Sequence, residues 1–182
     1  MATIPPGVAT LTNALVKMLD AARLCLEKRF DTPSLILLYS LIDTLAWLDI
    51  TGGDGDVHRP DFERWVNKYL LPYDGLNCTA NDLYGARCGL LHSHSPESRM
   101  SRNNVAKQIW YSFGNADKIF FDTFVQTQNP ASTISIRIET LIAAINEAIL
   151  NFGEDALATT EGYNRVMKRA EKFFGTVYTP PT

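Results

Sequence analysis

Residues 35–50 read LILLYSLIDTLAWLDI, and this stretch decides which fold the chain can adopt. On a helix it would be apolar on nearly every face, with Asp43 and Asp49 as its only charges. Asp31 and Pro33 precede it, a combination typical of the first turn of a helix. A helix that is apolar all round belongs in a protein interior. The stretch therefore predicts a helix in the middle of a bundle.

Further helical patterns lie on both sides of this central segment. In residues 10–30, apolar side chains recur at the three-and-four spacing of a helix with one buried stripe. A shorter helix is predicted over residues 62–70. A long amphipathic helix is predicted over residues 132–152, ended by Gly153, and a last one over residues 163–174.

The region from 105 to 128 is harder to interpret. Val105, Ile109, Tyr111 and Phe113 favour a strand, and three of the four alternate along the chain. A helix is expected over residues 116–127. The fold class predicted from these patterns is all-α, a bundle of about five or six helices together with one small β-strand pair.

Size and composition suit one domain over residues 1–182, with residues 175–182 expected to form a loose tail. The net charge of -3 excludes a general positive field that would attract nucleic acid or anionic membrane. Membrane insertion is not expected, because residues 35–50 are shorter than the about 20 apolar residues that a span needs. Three cysteines without metal-ligand spacing, and no signal-peptide pattern, predict free thiols and a cytoplasmic location.

The most informative local stretch is residues 82–95, DLYGARCGLLHSHS. Thr79 can cap a helix here while Asp82 reaches back to it, which is a strong helix start. Near the end of this helix come Arg87, His92 and His94, in a chain with only three histidines.

Arginine and histidine together can cleave RNA without a metal. A guanidinium grips a phosphate through two parallel hydrogen bonds, and an imidazole can move a proton at neutral pH. Arg87 and His92 are about 140° apart on a regular helix, so they are not stacked directly. The long arginine side chain can close part of that gap, and a second copy of the helix in a homodimer can close the rest.

The segment RCGLLH, from Arg87 to His92, resembles the signature of HEPN domains, in which an arginine is followed after four to six residues by a histidine. These helical domains occur in RNA-cleaving toxins and other defence proteins. The resemblance implies a homodimer, a metal-independent endoribonuclease site in the dimer cleft, no cofactor, and an antitoxin-like protein as a possible partner. It assigns Arg87 and His92 as the catalytic pair, and His94 also satisfies the spacing.

Other readings remain open for these residues. His92 can be present because a helix C-terminus favours a cation, and Arg87 can pair with Asp82 or with a carboxylate on a neighbouring helix. A non-catalytic module that binds nucleotides or proteins is the alternative function.

Supporting roles are expected for Asp43, which needs a partner on its apolar helix, for Tyr84 and for His94. The cluster Arg99, Arg102 and Lys107, with aromatic residues nearby, has the groups that an RNA strand would use.

No metal site is predicted. Asp54, Asp56 and His58 share one loop, but the loop lacks the spacing of a calcium-binding loop and its distal glutamate.

Overall fold

A computed structural model describes residues 6–51, 55–114, 117–128 and 131–172. Within these ranges the fold is mostly helical, with one small sheet. The helices are α1 (Pro6–Glu27), α2 (Asp31–Leu48), α3 (Arg59–Trp65), α4 (Ala80–Ser93), α5 (Arg99–Arg102), α6 (Lys118–Gln128), α7 (Ile138–Leu157) and α8 (Thr160–Ala170). The strands are β1 (Gln108–Ser112) and β2 (Thr133–Arg137). The predicted class, a helical bundle with a small strand pair, is confirmed.

Helix α2 occupies the centre of the bundle, as its all-round apolar sequence predicts. Half of its residues are buried, and it contacts α1, α3, α4, α7 and α8. One polar group helps to fix it, because the hydroxyl of Ser34 donates a hydrogen bond of 2.8 Å to the carbonyl oxygen of Ala22 on α1. Asp31 is the first helical residue, and no side chain caps this end of the helix.

The prediction of one long helix over residues 132–152 is wrong at both ends of the helix. Its first six residues are Ser132 followed by strand β2, and α7 begins only at Ile138. The sequence TISIR alternates β-branched and polar residues, which suits a strand, and β2 pairs in parallel with β1 from Gln108↔Thr133 to Ser112↔Arg137. At the other end α7 continues through Gly153 to Leu157, because Phe152 and Ala156 still pack in the core.

Smaller differences concern the remaining boundaries. Helix α1 begins at Pro6, before the predicted range, and α3 passes into a π-helical turn over Val66–Leu70. The segment expected to be an exposed basic loop contains the one-turn helix α5. The strand favoured for the 105–113 region is confirmed as β1. The predicted loose tail, residues 175–182, lies outside the described residues. None of the helices in the described ranges is both long and apolar enough to span a bilayer.

Helix α4, which carries the Arg87 and His92 motif, is held at its start and along one face. The hydroxyl of Thr79 accepts a hydrogen bond from the backbone N–H of Asp82, whose carboxylate in turn accepts one from the N–H of Thr79. On the face opposite Arg87, a Cβ at Gly89 would lie 2.7 Å from the carbonyl oxygen of Ser95. A Cβ at Gly85 would lie 2.9 Å from Ala106. Because Gly85 and Gly89 have no side chains, residues 95–106 of the same chain can pack closely against this face of α4.

The small sheet is tied to the bundle through a buried polar cluster. The hydroxyl groups of Tyr39 on α2 and Tyr111 on β1 are hydrogen-bonded to each other. Burial raises the pKa of both phenols and raises the pKa of the neighbouring Cys78 thiol to about 12. Cys78, which immediately precedes Thr79 at the start of α4, should therefore be an unreactive thiol with a role in packing only.

This assignment predicts the reactivity of Cys78. An ordinary cysteine has a pKa of about 8.5, so at pH 8 the folded protein holds roughly a thousandfold less Cys78 thiolate than the unfolded chain. We expect alkylation of Cys78 by iodoacetamide, measured by peptide mass spectrometry, to be at least about a hundredfold slower in native buffer than in urea. Similar rates in the two conditions would contradict the buried cluster.

Candidate functional site

The central interaction of the candidate site is an ion pair between Arg87 on α4 and Asp43 on α2. The Nε–H group of Arg87 donates a hydrogen bond of 2.8 Å to Asp43 Oδ2, and Nη2 lies 2.8 Å from the same oxygen. Both side chains are mostly buried, with exposed fractions of 21% and 18%. Asp43 thus finds the partner that its apolar helix requires, and that partner is Arg87.

The same guanidinium also reaches the motif histidine. Arg87 Nη1 lies 3.4 Å from His92 Nε2, within one chain. A guanidinium can only donate hydrogen bonds, so His92 Nε2 accepts from it when the imidazole carries its proton on Nδ1. The arginine side chain closes the angular gap between the two positions by itself, and no second copy is needed for that contact.

Tyr84, one helical turn before Arg87, supports the guanidinium from the side. The central carbon of the Arg87 guanidinium lies 5.9 Å from the centre of the Tyr84 ring. The ring packs edge-on against Phe62 of α3 at 5.4 Å, which holds it in place. Tyr84 is therefore part of the packing environment of Arg87.

Burial and charge act in opposite directions on this pair. Burial raises the pKa of the Asp43 carboxyl above its usual range, and the hydrogen bonds from Arg87 only partly offset the rise. Burial acts to lower the pKa of Arg87, but its hydrogen bonds and charge interaction with Asp43, together with smaller contributions from Cys88, outweigh burial and raise the pKa. Asp43 Oδ1 is buried and has no hydrogen-bond partner among the described residues. The ion pair therefore leaves one of the two carboxylate oxygens of Asp43 without a hydrogen bond among the described residues.

His94 lies where α4 ends, and its backbone gives it a structural role. It adopts a left-handed conformation with a φ of 49°, and its N–H donates to the carbonyl oxygen of Leu90 at 3.1 Å. The contact to the guanidinium of Arg87 is made by His92. The geometry therefore selects His92 as the histidine of the Arg-His pair.

The predicted RNA-binding residues do not share the environment of Arg87. Arg99 and Arg102 are exposed on α5, which lies within the chain segment that covers the glycine face of α4. Arg102 lies 3.6 Å from Glu97 in an exposed ion pair. Lys107 lines a different, polar cavity of about 560 Å³ beside β2, together with Arg137.

Sequence reasoning missed a hollow next to Arg87. It has a volume of about 400 Å³, is open to solvent, and is lined by Asp43, Thr44, Trp47, Asp56, Val57 and Arg87. Trp47 follows Asp43 by four residues and therefore shares its helix face, a spacing that was visible in the sequence. The approach of the 56–57 loop to this face depends on the tertiary fold and left no sequence signal.

A metal centre has no support in the described part of the chain, where no three His, Cys, Asp or Glu side chains are grouped as ligands. Asp54, one of the three loop residues considered for a metal, lies outside the described residues.

Comparison with known proteins adds no family assignment. No protein-family model matches the chain, and neither a curated protein nor a solved structure matches it. The class that the structure defines is a mostly helical fold with a partly buried Asp-Arg-His cluster at its surface.

The ion pair should contribute to stability. Asp43→Ala leaves the mostly buried Arg87 without its carboxylate, and we expect a loss of about 2 kcal/mol in the free energy of unfolding, measured in urea. Asp20→Ala is the control, because it breaks the exposed Asp20–Arg23 pair and should cost less than about 0.5 kcal/mol. Equal effects of the two substitutions would contradict the importance of the Asp43 contact.

The backbone of His94 gives a second prediction. Because a left-handed residue with a Cβ is strained, His94→Gly should raise the free energy of unfolding by roughly 0.5 to 1 kcal/mol. His94→Ala keeps the Cβ and should give no such gain. A destabilised His94→Gly protein would show that the imidazole makes a contribution larger than the strain.

Proposed function

We propose that this chain is a HEPN-like endoribonuclease that cleaves RNA without a metal ion and acts as a homodimer, in a toxin-antitoxin or other defence system. The observation that carries the proposal is the contact of Arg87 Nη1 with His92 Nε2, made by an arginine that also lines a solvent-open hollow. Arg87 and His92 are the catalytic residues of the proposal. Asp43 and Tyr84 act as positioning residues through Arg87.

The hydrogen bonds of Arg87 suit it to the role of phosphate clamp. Asp43 accepts from Nε and Nη2, and Nη1 directs one hydrogen at His92, which leaves the second hydrogen of Nη1 and the second hydrogen of Nη2 for other partners. The side chain is oriented before any ligand arrives, so little conformational entropy remains to be lost on binding. A phosphate beside the Arg87 and His92 side chains would receive hydrogen bonds from the remaining Arg87 hydrogens at its non-bridging oxygens, where charge develops during the reaction.

The reaction follows from these positions. His92 Nε2 accepts the proton of a 2′-hydroxyl, the 2′-oxygen bonds to the adjacent phosphorus, and the bond from phosphorus to the 5′-oxygen breaks. The products are a 2′,3′-cyclic phosphate and a 5′-hydroxyl that must receive a proton. In a homodimer a second His92, in its protonated form, supplies that proton. This need for both an acid and a base is the chemical reason for proposing two copies.

A second candidate function is a non-catalytic module that binds a protein, such as an antitoxin-like partner, or a nucleotide. One observation favours the protein-binding form. An apolar groove of about 250 Å³ runs between α1, α7 and α8, and Leu150 and Leu157 on its wall are 61% and 52% exposed. Exposed apolar surface of this kind is typical of interaction sites.

The deciding experiment incubates the purified protein with mixed RNA in EDTA and resolves the products by gel electrophoresis and mass spectrometry. We expect products ending in a 2′,3′-cyclic phosphate, and a loss of at least about a hundredfold in rate for His92→Ala and for Arg87→Ala. His94→Gly is the matched histidine control and should keep wild-type activity.

Light scattering on the same samples should give the mass of a dimer. Absence of cleavage by the wild type, or equal cleavage by His92→Ala, would exclude the enzymatic proposal and leave the binding module.

A further inference from the structure

The hollow beside Arg87 contains an aromatic side chain that the cleavage chemistry does not use. Trp47 lies on the same face of α2 as Asp43, and both line the hollow together with Arg87. The indole ring is partly exposed, whereas the ring of Trp65 is fully buried. The indole N–H groups of Trp65 and Trp110 are buried and have no hydrogen-bond partner among the described residues.

The Trp47 ring is held firmly from outside the hollow. The guanidinium carbon of Arg169 on α8 lies 5.2 Å from the ring centre, and Arg169 is not part of the hollow's lining. Trp47 thus lines the hollow while a cation from another helix packs against its ring. An aromatic side chain that is already packed needs little ordering when a ligand binds, and base stacking on aromatic side chains is a common source of affinity for RNA.

We propose that Trp47 and Asp56 form a base-binding subsite in this hollow, which takes a guanine joined to the phosphate held by Arg87 and His92. This inference rests on the function proposed above, because it takes the ligand to be RNA. Arg87 belongs to both regions: it lines the hollow and contacts His92. The hollow's volume of about 400 Å³ has room for one base.

The polar groups around Trp47 explain the choice of base. The hydroxyl of Thr44 donates to the carbonyl oxygen of Ser40 at 2.9 Å, so towards the hollow it can only accept. Asp43 and Asp56 present carboxylates, which are acceptors as well. Guanine carries two adjacent donors, N1–H and the N2 amino group, that match the two oxygens of one carboxylate, whereas uracil carries a single N–H. Asp56 is the exposed carboxylate that is free to make this pair.

The test is a titration of the wild-type protein with guanosine 3′-monophosphate and with uridine 3′-monophosphate in EDTA; neither ligand has a bond from phosphorus to a 5′-oxygen, so neither can be cleaved by the proposed reaction. The indole N–H resonances of tryptophans 47, 65 and 110 are followed by NMR and assigned with the substitution Trp47→Phe. We expect the Trp47 signal to shift and saturate, with about tenfold tighter binding of the guanine nucleotide, while the Trp65 signal stays in place.

Two substitutions separate stacking from base selection. Trp47→Ala should weaken binding of both nucleotides by about tenfold, because each base loses its stacking surface. Asp56→Asn should mainly reduce the preference for guanine, to about twofold or less. The controls are Phe120→Ala, an exposed aromatic residue on α6, and Asp74→Asn, an exposed loop carboxylate, and neither should change either affinity.

The outcomes separate this inference from the proposed function. If the wild-type protein cleaves RNA but the Trp47 signal does not respond to either nucleotide, the subsite is wrong and the nuclease stands. If Trp47 responds with a preference for guanine and no RNA is cleaved, the subsite stands on a nucleotide-binding protein. Equal affinity for the two nucleotides, unchanged by Asp56→Asn, would overturn the assignment of guanine.

Discussion

The ion pair between Asp43 and Arg87 is the constraint that links the fold of this protein to its candidate site. Helix α2 is enclosed by other helices and the Asp43 side chain is only 18% exposed, so water solvates its carboxylate incompletely and a cation from the protein stabilises it. Arg87 supplies that cation from α4, with two contacts of 2.8 Å. Because the contacts fix the rotation of α4 relative to α2, they also determine where His92 lies at the end of α4. The Arg87 side chain thus neutralises Asp43 in the fold and also positions the contact with His92.

Asp49, which directly follows the last residue of α2, shows what a fully paired carboxylate looks like in this fold. Asp49 is only 3% exposed, and its two oxygens lie 2.8 Å from Arg64 on α3 and 2.9 Å from Arg165 on α8. Asp43, by contrast, has one oxygen without a partner and is bound to a single arginine. Two arginines neutralise Asp49, whereas Asp43 is paired with Arg87 alone, and Arg87 also contacts His92. This difference is the physical basis for regarding Asp43, and not Asp49, as part of a site.

The sequence predicted those features that depend on neighbours along the chain. The central helix followed from its apolar composition, and the start of α4 followed from Thr79 and Asp82, which do form their reciprocal cap. Strand β2 was missed because Ile134 and Ile138 have the spacing of a helix, and only pairing with β1 makes residues 133–137 a strand. The partner of Asp43 and the hollow at Trp47 could not be identified in advance, since both depend on how α2, α4 and the 56–57 loop meet in space. The choice between His92 and His94 likewise required the path of the arginine side chain.

The charge balance of the site bears on how it could hold RNA. Asp43 neutralises Arg87, and Asp56 adds a further negative charge to the hollow, so one copy of the site has no net positive field. Counterion release, which dominates the affinity of most nucleic-acid-binding proteins, would therefore contribute little here. Affinity would have to come from directed hydrogen bonds of an oriented guanidinium, from stacking on a fixed indole ring, and from a second copy of the pair. A protein of net charge -3 that acts on RNA needs such local and directional contacts, because its overall field does not attract the substrate.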